Sequence, residues 1–139
     1  MTRRLIEMSS PKMTRKQALD EGRQRDISDA ARESGLMVPV FITSDVWDNW
    51  IVPDEESMKR GEDQKIRLKS LLDKLLYFIR VHRQTSKSNV IYFPIPFTKG
   101  GEEKNVQLMS LLGPVESSDK RPCITIMTPE EYEAENPAM

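Results

Sequence analysis

One segment carries a sustained helical period. Between Glu62 and Arg83, Leu68, Leu71, Leu72, Leu75, Leu76, Phe78 and Ile79 recur at three- and four-residue steps. On a helical projection they cover an arc of roughly 160°. No proline or glycine interrupts them. Glu62 and Asp63 stand at the start and Arg80, His82 and Arg83 at the end, as the helix dipole favours. The spacing predicts one long amphipathic helix as the main core element. Downstream the period falls to two. Ile91, Phe93, Ile95 and Phe97 alternate with Val90, Tyr92, Pro94 and Pro96, which predicts a strand over Val90 to Phe97. Two prolines two residues apart remove two donors from the same side, so this strand belongs at a sheet edge. Lys99 to Glu103, with Gly100-Gly101, reads as a hairpin loop. Asn105 to Leu112 is a second strand and Gly113 to Arg121 a turn-rich connection. Pro122 to Met127 is a third strand, with Cys123, Thr125 and Met127 on one face and Ile124 and Ile126 on the other.

The upstream half reads as short elements. Met1 to Met13 has no apolar period and reads as a flexible basic arm. Thr14-Arg15-Lys16-Gln17 has the spacing of a capping box and predicts a short helix ending at Gly22. Arg23 to Ile27 is long enough for one strand-like turn. Ser28 caps a second short helix that runs through Ser34, with Asp29 in its first turn and Gly35 as its stop. Val38 to Thr43 is β-branched and apolar apart from Pro39 and predicts a short strand. Ser44-Asp45 opens a third short helix to about Val52, with Val46, Trp47, Trp50 and Ile51 on one side. Asp54 to Gly61 reads as a charged loop. Thr128-Pro129-Glu130-Glu131 carries an N-cap Thr, Pro at N1 and Glu at N3, which starts a short terminal helix. Helices first and an antiparallel meander afterwards predict an α+β fold. Short N-terminal helices and the long helix pack on a sheet of three or four strands, as a single domain over residues 14–139.

Composition narrows this picture. A chain of 139 residues is long enough for a core without disulfides or metal. A net charge of -1 provides no global field to draw in nucleic acid. The charges are clustered, however. Met1 to Arg25 is rich in Lys and Arg, Lys74 to Asn89 contains no acid, and Thr128 to Met139 contains four glutamates and no base. A single cysteine, Cys123, excludes an internal disulfide and fits a reducing compartment. No apolar stretch follows Arg3-Arg4 to form a secretory signal, and none is long enough to span a membrane. The expectation is a cytoplasmic protein without a membrane partner.

Candidate chemistry is sparse. Cys123 with His82 would need a base and an oxyanion site. A mid-strand Cys is ordinarily a small core hydrophobe, and His82 suits the last turn of its helix. One His and one Cys do not assemble a metal site, and the adjacent acids lack a calcium-loop pattern. Gly100-Gly101 lies between strands and precedes two acids, unlike a phosphate cradle. No catalytic residue, metal site or cofactor is therefore expected. The binding candidates are more specific. Ile66, Tyr77 and Val81 project on the side of the long helix away from its apolar arc, where polar residues are expected; either the first short helices cover this side, or it contacts a protein partner or a second copy of the chain. Glu130, Glu131 and Glu133, with Glu135, form an acidic end that could imitate nucleic acid. Arg3, Arg4, Lys12, Arg15, Lys16, Arg23 and Arg25 form a basic arm and first helix that would serve a nucleic-acid contact, with Arg80, Arg83 and Lys87, near Tyr77 and Tyr92 in sequence, as further candidates.

The chain also resembles a known group. Arg15-Lys16-Gln17-Ala18, Asp26-Ile27-Ser28 and Ala31-Arg32-Glu33-Ser34-Gly35 are similar to the opening of an uncharacterised family, a domain of unknown function in small bacterial proteins carried on plasmids, phages and integrated elements. Pro39-Val40, Thr43, Val46-Trp47, Arg67-Leu68, Leu108 to Pro114 and Ile124 to Glu130 continue the likeness. These motifs are structural. Where the family pattern has Gly-Pro-Gly-Asp before the last strand, this chain has Gly113-Pro114-Val115-Glu116. The resemblance implies no activity. It implies a setting: small proteins of mobile elements commonly help the element persist or blunt host defence. The expected function is a non-enzymatic macromolecule-binding protein of that kind, working through protein–protein contacts. The alternative is a nucleic-acid-binding accessory protein using the basic arm.

Overall fold

The computed structural model describes residues 13–85 and 87–135. The expected arm therefore lies outside the described residues, save for Met13. The elements are α1 (Arg15–Asp20), β1 (Gln24–Asp26), α2 (Ser28–Ser34), β2 (Val40–Thr43), α3 (Ser44–Val46) running into a π-turn (Trp47–Ile51), α4 (Glu55–Lys59), α5 (Gln64–Thr85), β3 (Val90–Lys99), β4 (Glu102–Glu116), β5 (Asp119–Met127) and α6 (Pro129–Glu135).

The fold is α+β, but the sheet has five strands in the order β1-β2-β5-β4-β3, rather than three or four. The additional strand is β1, which pairs antiparallel with β2. β2 in turn lies parallel to β5, so the sheet is mixed rather than a pure meander. The turn-rich connection after Gly113 is also strand. β4 and β5 run on to a two-residue loop at Ser117-Ser118, with Glu116 opposite Asp119. No described non-glycine residue has a positive φ, so this loop lacks the left-handed pair that matches strand twist. The ladder adjusts with a register shift between Pro114 and Glu116. At the β3–β4 loop, Gly100 and Gly101 have φ of 62° and 79°, as a primed hairpin turn requires.

The core lies between α5 and one face of the sheet. Leu71, Leu72 and Leu75 meet Val40, Ile42, Phe93, Ile95, Leu108 and Ile126, all fully buried. The sheet register places these strand residues on one face, while Phe41, Thr43, Cys123, Thr125 and Met127 share the other. On that second face the covering pieces are α1 and α6.

β3 is an edge strand, as its prolines require. The Leu112 N–H donates to the Asn89 carbonyl at 2.9 Å. Because backbone groups alternate sides, Tyr92, Pro94, Pro96 and Thr98 therefore turn theirs outward. Pro94 and Pro96 have no N–H to offer there, and the Thr98 carbonyl accepts from Arg67 Nη2 at 2.6 Å and Ser57 Oγ at 3.2 Å.

Arg67 ties the corner together. It is buried inside α5. Its Nε donates to Glu62 Oε1 at 2.7 Å, Nη1 to the Trp50 carbonyl at 2.8 Å and Nη2 to Thr98. The π-turn, closed by Val52 N–H to the Trp47 carbonyl at 2.9 Å, brings Trp50 to this position. The segment read as a charged loop contains α4, capped by Asp54, whose carboxylate accepts from Ser57 N–H at 3.1 Å and from Gly100 N–H at 2.7 Å. Ser57, first through its side chain, and then Gly100 hold the Asp54 carboxyl at a pKa of about 2. At α2 the cap sits one step earlier than expected: Asp26 accepts from Ser28 N–H at 2.9 Å, and Ile27 occupies the N-cap.

Candidate interaction surface

The thiol and the imidazole, the two candidate reactive groups, are apart. Cys123 is buried on the second sheet face, where desolvation raises its thiol pKa, partly opposed by Arg15. His82 sits on α5, over the first face, with Nε2 3.1 Å from the Ser88 carbonyl. The sheet separates the two, so no thiol–imidazole pair forms. Among the described residues no three His, Cys, Asp or Glu side chains cluster to hold a metal ion, and no helix is long and apolar enough to cross a membrane.

The four basic candidates of the N-terminal region that lie among the described residues do not make one surface. Arg15 turns inward. Its guanidinium lies 4.2 Å from the Phe41 ring centroid, with Nη1 donating to Gln24 Oε1 at 2.7 Å, Nε to the Val115 carbonyl and Nη2 toward Cys123 Sγ at 3.3 Å. Lys16 pairs with Asp20 at 2.8 Å, and Arg23 with Glu21 at 3.3 Å. Arg25 lies 4.6 Å from the Trp47 ring centroid. Their charges are largely met within the fold.

The acidic end divides in a similar way. Glu131 closes the expected capping box: its N–H donates to Thr128 Oγ1 at 3.1 Å, and its Oε1 accepts from Thr128 N–H at 3.0 Å and from Thr43 Oγ1 at 2.8 Å. Glu130, Glu133 and Glu135 remain exposed on α6. Because α6 covers the second sheet face and α5 the first, this acidic side and the outer side of α5 are two surfaces.

On α5 the three apolar candidates are open. Ile66 is 54%, Tyr77 58% and Val81 42% exposed. With a rise of about 1.5 Å per residue, Tyr77 and Val81 are about 6 Å apart along the axis, while Ile66 stands about 16 Å before Tyr77. Tyr77 is braced edge-on by Phe78 at 5.2 Å between centroids, and Phe78 packs against Phe93 in the core. Exposed cations surround this row: Lys65, Lys69, Arg80 and Arg83 on one flank, and Lys74, partly covered, on the other. Lys69 pairs with Asp73 at 3.0 Å. Among the described residues no carboxylate pairs with Lys65, Lys74, Arg80 or Arg83. The acid-free run from Lys74 to Asn89 was the legible signal for this strip. The burial of Arg67 had a weaker signal, its place at the margin of the apolar arc.

No family model, no curated protein and no solved structure matches the chain.

Proposed function

We propose that the protein is a non-catalytic binding protein that acts through contact with another protein, as an accessory or defence-countering factor of a mobile genetic element. The observation that carries this reading is the open row Ile66, Tyr77 and Val81 on the outer side of the long helix. Apolar side chains in that position gain free energy when a partner covers them. A braced tyrosine flanked by arginine is the residue combination that dominates interface energetics. The mobile-element setting comes from the family resemblance.

A second reading, nucleic-acid binding, draws on the cations of α5 that pair with no carboxylate among the described residues, rather than on Arg15, Lys16, Arg23 and Arg25, which have partners. Affinity capture from bacterial lysate, with and without nuclease, separates the two. A protein captured in the presence of nuclease, and lost on Tyr77→Ser with Val81→Ser, supports the first. A capture that disappears with nuclease transfers the function to nucleic acid.

A further inference from the structure

The outer side of α5 also specifies the chemistry of what it contacts. We infer that it docks an acidic protein segment with an apolar centre: carboxylates facing Lys74, Arg80 and Arg83 around an apolar contact that receives Tyr77 and Val81. This rests on the protein-binding reading and goes further by naming the class of partner.

The rim is cationic, and among the described residues Lys74, Arg80 and Arg83 pair with no carboxylate. Asp73 is the one carboxylate between Lys65 and Arg83 on this helix, and Lys69 already holds it. A neutral partner would bury these cations unpaired, and a basic one would set like charges together, which costs several kcal/mol in general. An acidic segment satisfies them and is steered to the site by their field. The centre is apolar and rigid. Tyr77 rests edge-on against Phe78, itself anchored on Phe93, so little freedom is lost when a partner closes over it.

Two other occupants fit less well. A second copy meeting α5 to α5 across a two-fold axis would oppose the same cations. A second copy offering its acidic α6 would meet this one head to tail. Since α5 and α6 lie on opposite faces of the sheet, that contact is not reciprocal and adds copies into a ring or an open chain rather than a closed dimer. Nucleic acid would satisfy the cations, and Tyr77 could stack on a base. The aliphatic Ile66 and Val81, however, would find no apolar complement on a phosphate backbone.

The test uses the full chain as bait for a displayed library of random peptides, selected at low and at high salt. Enriched peptides are expected to carry an excess of Asp and Glu around an apolar residue, and their binding to weaken with salt. A synthesised winner should lose at least about tenfold in affinity on Tyr77→Ser. Lys74→Glu with Arg80→Glu should weaken it comparably, and replacing the acids of the peptide by Lys should restore binding to that charge-reversed variant. These side chains are at the surface, so an unchanged melting curve shows that each variant folds. Enrichment of neutral or basic peptides overturns the inference, as does a failure to enrich any peptide. Acidic winners that ignore all three substitutions also overturn it, yet leave a protein-binding function standing elsewhere on the molecule. If instead a mixed-sequence oligonucleotide binds, and loses binding on Lys74→Glu with Arg80→Glu, the inference and the protein-binding reading fall together.

Discussion

The two faces of the sheet are built on different principles. Over the first lies α5, 22 residues long, and the interface beneath it is almost wholly apolar. Over the second lie α1 and α6, six and seven residues long, with a groove of ≈ 760 Å³ between them. Thr43 and Thr125 form part of its floor, and Arg15 and Glu131 part of its walls. Helices that short are far below the length at which one persists alone in water. They are held by capping boxes at both Thr14 and Thr128 and by side chains that reach the sheet: Arg15 to Phe41, and Glu131 to Thr43. The first face supplies stability through non-directional burial. The second supplies position through directional bonds, each worth much less. Substitutions on the two faces should therefore differ in size and in reach.

The largest effect is expected under α5. Leu72→Ala, at a fully buried position, should cost about 3 kcal/mol and lower the denaturant midpoint with the slope unchanged. A loss below about 1 kcal/mol would mean that the two faces carry comparable weight. Arg67→Ala should cost nearly as much, about 3 kcal/mol, because three acceptors lose their donor in a buried corner. Arg67→Lys should recover less than half of that. A single ammonium cannot reach Glu62, Trp50 and Thr98 in the geometry of a guanidinium fork. Full recovery by Lys would show that charge, rather than the fork, holds the corner.

What the sequence revealed followed the same divide. Periodicity located α5, alternation located β3 and the two faces of β5, and the proline pair placed β3 at the edge, because each pattern reports burial directly. Capping signals located α1 and α6 for a local reason: Thr14 with Gln17, and Thr128 with Glu131, bond within four residues. β1 was harder to see. Gln24, Arg25 and Asp26 bury little and are strand because their backbone pairs with β2, a contact between distant segments. The parallel pairing of β2 with β5 was hidden for the same reason. α4 was obscured by its charge, although Asp54 three residues before Ser57 is a cap spacing. The candidate surface was legible in part: the composition of the outer side of α5 was readable, but the distance between it and the acidic end needed the sheet in between.

On the second face the expected losses are smaller and more local. Glu131→Ala removes an acceptor that serves both Thr128 and Thr43, and should cost about 1 kcal/mol. Amide exchange should quicken at α6 while the amides of α5 and β4 remain protected. Faster exchange throughout the sheet would show that α6 is integral to the core. Asp54 belongs to the α4 corner, at the border of the two regimes. Its folded-state pKa of about 2 lies below the ordinary 3.8. The ionised carboxylate thus stabilises the fold above the ordinary value, and this contribution is lost as the pH falls from there toward 2. Asp54→Asn should lose stability at neutral pH and show a shallower decline across that acid range. An unchanged acid profile would place the pH dependence elsewhere.

The smallest thermodynamic effect should come with the largest change of state. Pro94 and Pro96 lie on the outer side of β3, and replacing both by Thr alters few contacts. The added freedom of the unfolded chain should cost under about 1 kcal/mol. Each Thr, however, restores an outward N–H beside the free carbonyls of the same strand, and Tyr92 already presents both groups there. Three consecutive outward positions would then offer a ladder to a second β3, an edge that natural sheets keep interrupted. The double variant is expected to form larger species than the parent in sedimentation, increasingly with concentration, at nearly the same melting temperature. The Thr98 carbonyl would still be held by Arg67 and Ser57, so Arg67→Ala added to the pair should lengthen the exposed edge and strengthen association. If the double variant sediments like the parent, the prolines are present for the geometry of the strand, and some other feature keeps β3 from pairing.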